Sequence, residues 1–120
     1  MRMSPAAHDR ALARVSHLPH ALASLLMLLP GKADLDVSAT GFRDATRLAS
    51  GDPEMWRDIF VTNRRAVLSA VDALDERLQE LRDLLELGDA KGIERLLSRA
   101  KRRRDETIAK RFVERQVAAE

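Results

Sequence analysis

No cysteine occurs in the 120 residues. That excludes a disulfide framework, a thiolate nucleophile and a cysteine-type zinc site, and it fits a cytosolic protein. Aromatics are nearly as scarce: one Trp, three Phe and no Tyr. Residues that favour sheets are therefore few, while Leu and Ala dominate, as helix-on-helix packing prefers. None of the five glycines falls in a GxGxxG pattern, so the turn that cradles a dinucleotide is missing. An excess of one charge is missing too. Twenty-one Lys and Arg against nineteen Asp and Glu leave a net +2, which gives no ground for a nucleic-acid partner. The longest oily run, Ala21 to Leu29, is far short of the roughly 20 residues that span a bilayer. Charged and imidazole groups precede it and no small-residue cleavage site follows, so it is a poor secretory signal. The expectation is a soluble, cytoplasmic chain of one domain with no membrane partner.

What is present is helical pattern. Ser4-Pro5 opens a first helix, with Ser able to cap free N–H groups and Pro suited to the first helical position. Leu12, Val15, Leu18, Leu22, Leu25 or Leu26 and Leu29 recur at helical spacing until Pro30-Gly31. Pro19 interrupts this helix, frees the carbonyl of Val15 and predicts a kink between His17 and His20. Lys32 to Gly41 reads as a polar loop or fragmentary helix, and Phe42 to Ala49 as a short helix ended by Ser50-Gly51. Asp52-Pro53-Glu54 opens a helix that the pattern carries to about Leu87, closed by Gly88. Within it Val67, Val71, Leu74, Leu78, Leu81 and Leu85 form a heptad seam. Such a seam must be buried against another long helix, from this chain or a second copy. Ile93, Leu96, Leu97, Ala100, Ile108 and Phe112 mark a last helix, antiparallel to its predecessor across a short turn. With no internal repeat and no strand-like alternation, the fold class is all-α, a long-helix bundle.

Three groups of residues carry chemistry. His17 and His20, at i and i+3, share one side of a helix. They are either two partly buried imidazoles satisfied by neighbours or a pair that hydrogen-bonds a ligand's carboxylate or hydroxyl. A metal site is disfavoured, because zinc wants three or four ligands and no further His or Cys is placed to help. Arg43, Asp44 and Arg47 read either as a solvated helix face with an ion pair or as a site where Asp44 orients and Arg47 offers its planar fork to a carboxylate. Trp56, one turn into a capped helix, is either core filler or the wall of a pocket. The run Lys101-Arg102-Arg103-Arg104 points all round a helix axis and is diluted by Asp105, Glu106 and Glu114, so it reads as a solvated face.

Ser16-His17-Leu18-Pro19-His20, followed about twenty-five residues later by GFRDATRLASGDPEMW and then a long helix, resembles the C-terminal helical domain of prephenate and arogenate dehydrogenases. His8-Asp9 just upstream also fits, and the resemblance runs from Ser4 to about Arg104. It implies a fold like the 6-phosphogluconate dehydrogenase C-terminal domain, an intertwined homodimer, and a protein whose N-terminal Rossmann domain, absent from residues 1–120, binds NAD or NADP. The implied reaction, in tyrosine biosynthesis, is oxidative decarboxylation. Hydride leaves the ring carbon bearing the hydroxyl, CO2 leaves the opposite carbon, and the ring of prephenate becomes that of 4-hydroxyphenylpyruvate. By the same resemblance, Arg47 binds the ring carboxylate and His20 contacts the substrate's side chain, with His17, Asp44 and Trp56 in support. The Thr40-Gly41 turn lies where family members sense tyrosine. The catalytic histidine belongs to the other domain, and His8 does not take its role. Alone, the chain is expected to bind no cofactor and to turn over no prephenate. The alternative is a non-enzymatic module whose seam recruits another coiled coil; it accounts for the second half of the chain and leaves both motifs unexplained.

Overall fold

The computed structural model describes residues 2–37 and 39–119, all of the regular structure among them helical. It divides into two compact units, Met1–Asp75 and Glu76–Glu120.

In the first unit, Ser4 Oγ accepts the Ala7 N–H at 3.1 Å and Pro5 takes the first helical position of α1 (Pro5–Leu12). The helix does not break at Pro19. It widens one turn earlier, over a π turn at Ala13–His17 where the Leu18 N–H donates to the carbonyl of Ala13, and resumes as α2 (Leu18–Leu28). The ring of Pro19 crowds the carbonyl four residues back and offers that carbonyl no N–H; a wide turn just upstream accommodates both defects. Read through its histidines, Pro5–Leu28 is long and apolar enough by composition to cross a bilayer, with a mean hydropathy of 1.2 in its most apolar window. Here, however, its two central imidazoles, His17 and His20, are buried against Trp56, and His17 also faces the Asn63 amide.

Two short helices follow, α3 (Lys32–Asp36) and α4 (Thr40–Ala45). The expected helix over Phe42–Ala49 is two pieces: α4, then a 3-10 turn at Arg47–Ser50. Thr46 lies at the division, at φ −106° and ψ 3°. It is buried, and its hydroxyl and its N–H both donate to the Phe42 carbonyl, at 2.8 and 3.1 Å. The 3-10 turn packs on α2.

Asp52 caps α5 (Pro53–Thr62) by accepting the Glu54 N–H at 3.1 Å. The single helix expected from here to Leu87 is interrupted at Asn63 (φ −105°, ψ 31°), which closes α5 and opens α6 (Arg64–Leu87). Its N–H donates to the Ile59 carbonyl and its own carbonyl accepts from Val67, so only one residue leaves helical geometry. Asn favours such positions because its amide competes for backbone partners.

The second unit is a hairpin of the end of α6 and α7 (Ala90–Ala119). Gly88, at φ +62°, turns the chain, and Asp89 donates its N–H to the Leu84 carbonyl at 3.0 Å, a Schellman closure. Asp89 then caps α7 by accepting the Gly92 N–H at 2.9 Å. The two helices run antiparallel, as Glu80 bridges Arg77 at 3.0 Å and Arg99 at 3.2 Å. Hydrogen bonds from Arg77 and then Arg99 hold the Glu80 carboxyl below its ordinary value of 4.5. The side chain of Phe112, one of the apolar markers of α7, lies outside the described residues.

The buried apolar core of the described residues is small: Ala13, Ala23 and Ala70. No described large side chain is fully buried, and Leu25, Leu28, Leu29, Leu78, Leu85 and Leu97 are exposed.

Candidate functional site

The π turn and α2 carry His17 and His20 to the same buried face, at 8% and 5% exposure. Both rings meet Trp56 of α5. His20 lies flat on the indole, with centroids 3.8 Å apart and planes 13° apart, while His17 meets it edge-on at 6.1 Å and 81°. Phe60, one turn further along α5, closes the cluster at 6.2 Å from His20 and 5.9 Å from Trp56. Such stacked and edge-to-face pairs contribute about 0.5–1.5 kcal/mol each beyond the area they bury. Aromatics are rare in this chain, and two of its four converge here.

Polar atoms in the cluster are unequally served. Nδ1 of His17 faces the Asn63 amide nitrogen at 3.3 Å. Nδ1 of His20 is buried with no hydrogen-bond partner among the described residues, an uncommon state for a buried nitrogen.

The structure brings His17, His20 and Trp56 together. Arg47 opens the 3-10 turn that packs on α2, the helix carrying His20, and its side chain is exposed. Asp44, on α4, is exposed as well, and the Asp44–Arg47 ion pair is not formed among the described residues. Thr46 between them is buried.

A cavity of about 420 Å³ also opens on this unit, lined by Asp9, His17, Met55, Asp58, Ile59, Thr62 and Asn63. Its two carboxylates make it unsuited to an anion, and Arg47 is not in its wall. Among the described residues there is no group of three His, Asp or Glu that could hold a metal ion, and no strand–glycine turn–helix unit for a dinucleotide.

Asn63 was not among the residues the sequence singled out, and Gly51 was read only as a helix end. A Cβ on Gly51 would sit 2.8 Å from His20 Cε1 and 2.9 Å from Trp56 Nε1, so glycine is required beside the stack. The signal available for Asn63 was an Asn in the interior of an otherwise regular helical pattern.

The described residues form an all-helical fold that buries two imidazoles against one Trp and leaves Leu78 and Leu85 of its heptad seam exposed. The chain belongs to the family described as "Prephenate dehydrogenase, dimerization domain", whose sequence model matches residues 4–99. It is 34% identical over 111 residues to prephenate dehydrogenase of Bacillus subtilis, covering 88% of this chain and 30% of that protein. It is 39% identical over 87 residues to cyclohexadienyl dehydrogenase of Zymomonas mobilis, covering 67% and 30%. Among solved structures, arogenate dehydrogenase of Synechocystis superposes with a TM-score of 0.79 at 28% identity, over 87% of this chain and 40% of that one. Prephenate dehydrogenase of Aquifex aeolicus, in complex with hydroxyphenyl propionate and NAD+, superposes at 0.71 and 34% identity, over 86% and 38%. The chain thus spans about a third of the length of these relatives.

Proposed function

We propose that this chain is the dimerising and substrate-anchoring part of a cytoplasmic NAD- or NADP-dependent dehydrogenase acting on prephenate or arogenate. The dinucleotide and the group that takes the hydroxyl proton belong to a further domain, since no dinucleotide fold is built from the described residues. That domain would hold the dinucleotide, which would supply the acceptor for the hydride leaving the ring carbon that bears the hydroxyl. In this reading Arg47 fixes the ring carboxylate with two parallel charge-assisted bonds. His20 meets the substrate's side chain, and His17, Asp44 and Trp56 shape the surroundings. The turn at Thr40-Gly41 is the place to look for feedback by tyrosine.

The observation that supports this reading best is the convergence of three rings beside a packed turn that leaves Arg47 exposed, with no ion pair among the described residues. The leucines left uncovered by a single chain support a homodimer. The test is Arg47→Lys in the protein joined to its dinucleotide domain. Lysine keeps the charge and loses the fork, so KM should rise sharply with kcat less affected. An unchanged KM overturns the assignment of Arg47.

A further inference from the structure

We infer that Asn63 is a positioning residue that holds His17 as the neutral imidazole protonated on Nε2. A primary amide has two N–H bonds and one carbonyl, and which end is which is normally ambiguous. Here it is not. One end of the Asn63 side chain lies 2.8 Å from the backbone carbonyl of Asp9. A carbonyl can only accept, so that end is the nitrogen. The same nitrogen lies 3.3 Å from Nδ1 of His17. An amide nitrogen has no lone pair to offer, so Nδ1 must be the acceptor, and the ring proton sits on Nε2. Turning the imidazole over would set a C–H against the amide N–H and leave a half-buried donor without an acceptor, which costs about 1–3 kcal/mol.

The fold holds Asn63 in this role. It is the one residue between α5 and α6 outside helical geometry, with its backbone bonded to both helices. Its side chain crosses to α1, 54 positions earlier in the chain, and to the π turn. The wide turn and the helix break therefore meet at one amide. With Nδ1 engaged, His17 can give a hydrogen bond from Nε2 and cannot take a proton through Nδ1 while the bond stands. That this donor faces an oxygen of a bound acid rests on the function proposed above; the position of the proton does not.

The test uses the full 120-residue chain, labelled with 15N, with no ligand present. Long-range proton–nitrogen correlation distinguishes a protonated ring nitrogen from a bare one, and the His17 signals are assigned by their loss in His17→Gln. The wild type should show Nε2 protonated and Nδ1 bare, with a through-hydrogen-bond coupling between Asn63 Nδ2 and His17 Nδ1. Asn63→Asp, nearly isosteric, presents acceptors only, so a proton should appear on Nδ1. Asn63→Ala should give averaged shifts of two exchanging forms. A proton on Nδ1 in the wild type, or an unchanged pattern in Asn63→Asp, overturns the inference. Should Asn63→Asp fail to fold, the wild-type coupling decides alone: its presence supports the bond and its absence refutes it. Because no ligand enters, an unchanged KM in Arg47→Lys would leave this result standing, and the reverse holds too.

Discussion

The imidazole of His20 lies flat against the indole of Trp56, 3.8 Å between centroids, and the backbone of Gly51 closes on the edge of both rings. The stack joins α2 to α5 through a turn that leaves no room for a methyl group. The rings are buried or half-buried and hold each other, so neither yields cheaply. Gly51→Ala should therefore destabilise the first unit by about 1–3 kcal/mol, the usual cost of overpacking. Gly41 is the control. It lies in α4 with nothing within 4 Å of its would-be Cβ, so Gly41→Ala should be neutral or stabilise by up to about 1 kcal/mol. Thermal unfolding followed by circular dichroism checks both, and equal effects at the two positions would refute the steric account.

The pairing of His17 with His20 and the place of Trp56 were legible in the sequence. An i, i+3 spacing fixes which side of a helix two residues share, and Asp52-Pro53 dates the start of α5 to within a turn of Trp56. The stack itself was not legible, because it depends on a third segment arriving at Gly51. Asn63 was hidden for another reason: a break of one residue, bonded at both ends, leaves the apolar spacing from Phe60 to Val67 almost undisturbed. The π turn escaped in the same way. Pro19 announced a defect, and the backbone placed it one turn upstream. Asp44 and Arg47 are not paired among the described residues, and the expected helix is divided between them at Thr46.

Gly88 was read as a helix end, and its φ of +62° gives that reading a measurable consequence. A Cβ in the left-handed region crowds the following carbonyl. Gly88→Ala should cost about 1 kcal/mol in the hairpin of α6 and α7, and Gly88→Asn less, since Asn tolerates this region. Urea denaturation of the three proteins checks the order glycine, asparagine, alanine. An alanine variant as stable as the wild type would show that the turn can close without a left-handed residue.

The heptad positions of α6 divide sharply. Val67, Val71, Leu74 and Leu81 are half-buried, whereas Leu78 and Leu85 are 53% and 61% exposed. Leucines at seam positions lose the stabilisation of burial when nothing covers them, roughly 1.5–3 kcal/mol for each side chain. If a second copy covers this seam, sedimentation or light scattering at micromolar concentration should give twice the chain mass. Leu78→Glu with Leu85→Glu should then shift the protein to monomer, while helicity falls little. A wild-type mass of 13.5 kDa would refute the homodimer.

Glu80 gives the hairpin a pH dependence whose sign follows from its partners. Arg77 and Arg99 hold its carboxyl below the ordinary value in the folded state, so folding favours the ionised form. The stabilisation is complete above the unfolded value and is lost as pH falls through the folded one. Glu80→Gln removes the charge and keeps the shape, so it should be less stable than the wild type near neutrality. The gap should close as the solution is acidified below the ordinary carboxylate range, because the wild-type side chain then becomes neutral too. The side chains involved are all partly exposed, so the gap should also narrow in high salt, where exposed ion pairs are screened. Denaturation midpoints for both proteins across an acid titration, at low and high salt, check this. A gap independent of both pH and salt would mean that Glu80 contributes through packing of its stem and not through its charge.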